Sequence, residues 1–158
     1  MNFDGLTITI GAPGAGKSTW ADKNLPGHVL RLERDRFREA LFGSRRAYHE
    51  SMIERGDRSL VVTSCMLAAM ESWPYPACAV TDTGLRYEAV SPFIDLARRS
   101  NHPVRLVVLE RERGFLETNN RIRPHAHRIP DEILTEMIAE FDNPTAWWRL
   151  VDFEKHYV

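Results

Sequence analysis

The chain has 158 residues, enough for one domain with a real core and little more. It is 43% hydrophobic and 27% charged with a formal net charge of −1, so no global field draws it onto nucleic acid or a membrane, and any basic site must be local. No apolar run approaches the roughly 20 residues of a bilayer-spanning helix, the start MNFDGLTITI lacks the basic opening of a secretion signal, and Cys65 and Cys78 read as buried small hydrophobes rather than a disulfide framework, which together predict a cytoplasmic protein.

The first element is an apolar strand, Leu6–Ile10, followed at once by GAPGAGKS, residues 11–18. Gly11, Gly16, Lys17 and Ser18 meet the pattern G-x-x-x-x-G-K-[ST]. The glycines let the backbone of Gly11, Ala12, Pro13, Gly14, Ala15 and Gly16 curl so that its N–H groups converge on phosphate oxygens. The helix that follows, expected from near Gly16 to near Asn24, adds the positive end of its dipole. In this arrangement Lys17 reaches the β- and γ-phosphates and the Ser18 hydroxyl completes a Mg²⁺ shell. ATP or GTP with Mg²⁺ is the expected ligand.

A second strand, His28–Leu32, leads into RLERDRFREALF, with a helix from near Asp35. Six arginines stand against three acids between Arg31 and Arg46. A hydrolase needs a water-positioning group, whereas a kinase needs a base for the acceptor hydroxyl and cations for the moving phosphoryl group. Asp35, where a parallel strand ends on the edge that carries the phosphate loop, suits the base. Arg38, one helical turn on, suits an acceptor phosphate by its fork. The same spacing fits an N-cap aspartate with solvated i,i+3 pairing, and the residues leave both open.

Tyr48–Met70 reads as helical with a break at Gly56-Asp57, and VVTSCMLAAM, apolar on most sides, is expected to be buried. The third strand, Ala77–Asp82, ends in an aspartate that suits the loop hydroxyl, the acceptor or a simple turn. A helix lies between Leu85 and Ser100; Pro92 either opens it behind a Ser91 cap or kinks it. The fourth strand, Val104–Leu109, is continuous in apolar residues, as a parallel strand covered on both faces should be. After a helix over Arg113–Arg121, NNRIRPHAHRI at 119–129 holds three arginines, two histidines and no acid. That composition suits a lid whose arginine meets the phosphoryl oxygens on closure, or a basic solvated helix end. His125 and His127 lack a third ligand at sensible spacing for zinc. The last helix, Pro130–Asp142, carries Ile133, Leu134, Met137, Ile138 and Phe141 as one apolar stripe. The tail, 143–158, is expected to pack on the domain through Trp147 and Trp148.

These residues resemble the 5′-kinase domain of phage polynucleotide kinase-phosphatase, from about Leu6 to Phe141. LTITIGAPGAGKSTWA is similar to its opening strand, phosphate loop and following S-T-W-A. RDRFR resembles its R-D-D-Y-R, TDT its S-D-T, and NNRIR followed by IP its N-x-x-R lid and V-P. The resemblance implies transfer of the ATP γ-phosphate to a 5′-OH of DNA or RNA. It assigns Lys17, Ser18 and Thr19 to the donor phosphates and metal, Asp35 to the general base and Arg38 to the acceptor 3′-phosphate and the moving group. It assigns Asp82 and Thr83 to the acceptor site, Arg123 to the catalytic lid arginine, Asn119 to a place beside the adenine and Ile129 to the acceptor nucleoside. Three departures stand out. Arg36 replaces a second Asp and is expected to make the acceptor mouth more basic, Gly84 replaces an Asn, and no phosphatase domain is expected.

The whole chain is therefore expected to be a single α/β P-loop NTPase domain. Its sheet should be parallel in adenylate-kinase-like order 2-3-1-4, with helices on both faces, a lid at about 119–129 and a tail at 143–158. The expected activity is a polynucleotide 5′-hydroxyl kinase in the cytoplasm, host cytoplasm if phage-encoded. Its rivals are a kinase for the hydroxymethyl group of 5-hydroxymethyluracil within DNA, a small-molecule kinase, and a non-catalytic nucleotide-binding module.

Overall fold

The computed structural model describes residues 3–43, 59–124 and 127–158. Five strands form one parallel sheet: β1 (Leu6–Ile10), β2 (Leu30–Leu32), β3 (Cys78–Val80), β4 (Val104–Val108) and β5 (Glu154–Tyr157), in the order β2-β3-β1-β4-β5. The helices are α1 (Lys17–Asn24), α2 (Arg34–Phe42), α3 (Ser59–Ser72), α4 (Tyr87–Arg99), α5 (Arg113–Ile122), α6 (Asp131–Asp142) and the short α7 (Trp147–Leu150). Every residue of β1 is buried, because this central strand is covered on both faces. Among the described residues no helix is long and apolar enough to cross a membrane.

The order expected from sequence holds for the first four strands, and the tail adds a fifth. Glu154–Tyr157 is half-exposed and charged, so it carries no strand pattern of its own; it is strand because β4 offers it a free edge. Trp148 is fully buried and stacks on Phe141, which seats the tail on α6.

Three local expectations are corrected. The helix α4 begins at Tyr87 and continues through Pro92, which excludes a start there behind a Ser91 cap. Its buried stripe of Val90, Phe93, Ile94 and Ala97 outweighs the one backbone bond that proline deletes. The stretch VVTSCMLAAM is not buried on most sides: α3 turns Val62, Met66 and Met70 inward and leaves Leu60 75% and Val61 49% exposed. On α6, Leu134, Ile138 and Phe141 are buried but Ile133 is 45% exposed, so the stripe is narrower than its spacing implied. The expected helix over Tyr48–Gly56 and its break lie outside the described residues.

Parallel strands bring every loop that follows a strand to one edge of the sheet. The stretches after β1 (residues 11–16), after β2 (from residue 33) and after β3 (residues 81–84) therefore meet.

Candidate active site

The loop after β1 depends on its glycines. Gly14 and Gly16 carry φ of 90° and 91°, left-handed backbone that costs an L side chain about 1–2 kcal/mol. Gly16 caps α1 without any side-chain hydrogen bond, and the first turn holds no acid. The leading N–H groups of the helix are thus left for an anion. Lys17 Nζ donates to the carbonyls of Gly11 and Ala12 at 3.0 and 2.9 Å. Its ammonium is lowered from 10.5 to about 8, first by burial and then by the Arg123 charge, against the opposing pull of Asp82. Arg123, which ends α5, therefore stands within electrostatic reach of Lys17.

The Ser18 hydroxyl donates to Glu33 Oε1 at 2.8 Å. Glu33 is only 8% exposed and also accepts from Arg31 at 3.2 Å and pairs with Arg36. It is the site residue the sequence pattern concealed. Its one signal is an acid directly behind the apolar end of β2, hidden among arginines. Of the three roles open to Asp82, partner of the loop hydroxyl falls instead to Glu33. Asp82 Oδ1 accepts the Arg34 N–H at 2.9 Å, and Oδ2 lies 3.5 Å from Arg34 Nε. The Asp82 carbonyl accepts from Thr9 Oγ1 at 3.0 Å. Asp82 thus straps the end of β3 to the start of α2. Burial raises its carboxyl above the ordinary range, while the Arg34 N–H and guanidinium pull it back.

Arg38 Nη1 donates to Asp35 Oδ1 at 3.0 Å, which pairs the expected base with the expected acceptor cation on α2. Arg34 also donates to Thr63 Oγ1 at 2.7 Å and to the Ala89 carbonyl at 3.3 Å. Arg31, Arg34, Arg36 and Arg38 each pair with an acid. The Arg36 guanidinium, 61% exposed, shares the single Glu33 carboxylate with Arg31. Arg45 and Arg46 lie outside the described residues.

Beside Asp82, the Thr83 carbonyl accepts the Gly11 N–H at 2.9 Å, so the loops after β1 and β3 are joined. Gly84 sits at φ 65°, where an added Cβ would lie 2.4 Å from the Thr9 carbonyl oxygen. Trp147 Nε1 donates to the Gly84 carbonyl at 2.9 Å, which brings the tail to the back of this loop. Thr19 is exposed on the first turn of α1.

On α5, Asn119 Nδ2 donates to the Gly14 carbonyl at 2.9 Å, so the amide expected beside the adenine is turned onto the phosphate loop. Ile129 is half-buried and packs against the apolar cluster that includes Ala12 and Leu116. His125 lies outside the described residues and His127 is exposed. Among the described residues no group of three or more His, Cys, Asp or Glu side chains is placed to hold a metal. The protein oxygens next to the loop are Ser18 Oγ and the Glu33 carboxylate, hard donors that suit Mg²⁺.

A family model described as an AAA domain (AAA_33) matches residues 6–144. No curated protein matches the chain. Among solved structures, Kti12 of Chaetomium thermophilum, in complex with ADP-AlF3, is 13% identical with a TM-score of 0.62 over 97% of this chain and 88% of that chain. Shikimate kinase from Acinetobacter baumannii, in complex with shikimate, is 15% identical with a TM-score of 0.60 over 97% and 81%. A gluconokinase from Sinorhizobium meliloti 1021 is 19% identical with a TM-score of 0.53 over 100% and 83%. At these identities the likeness is one of fold, a kinase-like P-loop fold. The chain belongs to the AAA domain family whose model it matches.

Proposed function

We propose that this member of the family is a nucleotide-dependent phosphotransferase, using ATP or GTP with Mg²⁺, whose acceptor is an alcohol on nucleic acid, the 5′-OH end of DNA or RNA. The observation that carries this is the meeting of a phosphate loop with Asp35 and Arg38 on one sheet edge, with Arg123 near Lys17.

In that reaction the acceptor oxygen attacks the γ-phosphorus in line. The new O–P bond forms as the bond to the β–γ bridging oxygen breaks, and the nucleoside diphosphate leaves. Asp35 accepts the hydroxyl proton. Lys17, Arg38 and Arg123 balance the charge on the phosphoryl oxygens. The Ser18 hydroxyl would hold a Mg²⁺ ion, which would supply further charge neutralisation. Asp82 holds the start of α2, and so Asp35, through the Arg34 N–H. Thr83, Thr19, Asn119 and Ile129 complete the proposed donor and acceptor contacts.

The second acceptor class is the hydroxymethyl group of 5-hydroxymethyluracil within DNA. A small alcohol is the third class, as the names of the gluconokinase and shikimate kinase neighbours indicate. The test is transfer of labelled γ-phosphate to three acceptors: a 5′-OH oligonucleotide, a 5′-blocked oligonucleotide with internal 5-hydroxymethyluracil, and a panel of sugars and small alcohols. Label on the first supports the proposal, label on the second or third alone moves the acceptor, and label on none removes the kinase assignment.

A further inference from the structure

We infer that Asn120 is the positioning residue that holds Arg123 at the phosphate loop, by pinning the two ends of the segment that carries it. Asn120 is 1% exposed. Its Nδ2 donates to the Ile129 carbonyl at 2.7 Å and its Oδ1 accepts the Ile129 N–H at 3.0 Å. One side-chain amide thus copies a rung of backbone pairing and draws Ile129 to the end of α5. Arg128 Nη2 crosses the same neck to the Arg121 carbonyl at 2.6 Å. The neighbour, Asn119, ties this turn of α5 to the Gly14 carbonyl of the phosphate loop at 2.9 Å. Arg123 follows three residues on, and its N–H donates to the Asn120 carbonyl at 3.3 Å.

The chemistry explains the residue type. Only an amide of this length both donates to Ile129 C=O and accepts from its N–H. Aspartate loses the donor and sets a charge against a carbonyl; alanine removes the side-chain partner of both Ile129 groups. The geometry makes Asn120 act through Arg123, with no contact to a reacting atom of its own. This rests on the charge-stabilising role proposed for Arg123.

Two measurements test it. The first needs no acceptor. ADP with aluminium fluoride and Mg²⁺ imitates the moving phosphoryl group, so a charge-stabilising Arg123 favours that complex over ADP alone. Asn120→Ala should weaken the complex to the extent that Arg123→Ala does, with ADP affinity unchanged, read by competition with a fluorescent nucleotide. An unweakened complex overturns the inference. The second is a double-mutant cycle on phosphate transfer. Asn120→Ala should lower kcat about 10- to 100-fold with the KM for ATP within about threefold, and should add less than about twofold in an Arg123→Ala background. An undiminished loss in that background shows a merely structural residue and overturns the inference. Asn120→Ser, which adds no charge, runs the same tests if the alanine variant does not fold. A wild type that transfers to no acceptor, with the complex still weakened by Asn120→Ala, removes the proposed function and leaves the positioning intact.

Discussion

Replacing Lys17 by Met should stabilise the free protein while removing nucleotide binding. The Lys17 ammonium is displaced from 10.5 to about 8, chiefly by burial. With the folded value below the unfolded one, the unfolded chain binds more protons between them, and stability rises with pH from about 8 to about 10.5. Below about 8 the folded protein carries the whole cost of the desolvated charge, about 3 kcal/mol. Met keeps the length and apolar body of the stem and removes that charge. It forfeits the two hydrogen bonds to the Gly11 and Ala12 carbonyls, about 1 kcal/mol each. The net at pH 7 is a gain of about 1 kcal/mol, or roughly 2–4 °C in Tm for a chain of this size. At about pH 10.5 the order reverses, because neutral lysine no longer bears the charge and still donates to both carbonyls. Urea denaturation of both proteins at pH 7 and pH 10.5 measures the difference, in which all other titrating groups cancel. A Met variant less stable than wild type at pH 7, or a gap that does not change with pH, would refute the reasoning. ATP affinity should fall about 30-fold or more at pH 7, read with a fluorescent nucleotide.

Asp35→Asn should lower phosphate transfer about 100-fold or more with ATP affinity retained; a variant with wild-type turnover would leave the base unassigned. Glu33→Gln removes the charge beside Ser18 and should raise the Mg²⁺ concentration for half-maximal transfer about tenfold, and an unchanged Mg²⁺ titration would count against Glu33 as a metal-side carboxylate. Gly84→Ala combines left-handed backbone with a 2.4 Å approach to the Thr9 carbonyl oxygen, so urea melts should show a loss of about 2–4 kcal/mol; a loss under about 1 kcal/mol would mean the loop can shift. Trp148 is fully buried and its Nε1 has no hydrogen-bond partner among the described residues. Trp148→Ala should cost about 3–5 kcal/mol in thermal and urea melts, and Trp148→Phe less than half of that, because Phe deletes an unanswered donor.

Local chemistry was legible in the sequence wherever a short motif demands one backbone. The loop at 11–18 could be read because two positive-φ glycines and a following helix leave little conformational choice. Asp35 and Arg38 could be paired from helical spacing alone, and they lie 3.0 Å apart. The parallel sheet followed from apolar runs separated by helical crossovers, and the order of its first four strands from the likeness to adenylate-kinase-like folds.

What the residues hid was every partner chosen across the fold. Glu33 looked like one acid among arginines until the end of β2 was set beside Ser18. The basic run around it looked like an open cationic mouth, yet its described arginines meet acids, one of them from as far away as Asp82. The two asparagines at 119 and 120 looked alike in sequence; one reaches the phosphate loop and the other closes the neck at Ile129. A strand of Glu, Lys, His and Tyr had no pattern to betray it and exists because β4 had an open edge. The sequence by itself determined the phosphate loop, the parallel sheet and the residues able to accept a proton, since these depend on neighbours in the chain. Tertiary structure alone decided which carboxylate serves the loop hydroxyl, which acids the arginines meet and which groups the asparagines at 119 and 120 hold. Those choices depend on charges and amides brought within about 3 Å across long stretches of chain, a distance that no periodicity encodes.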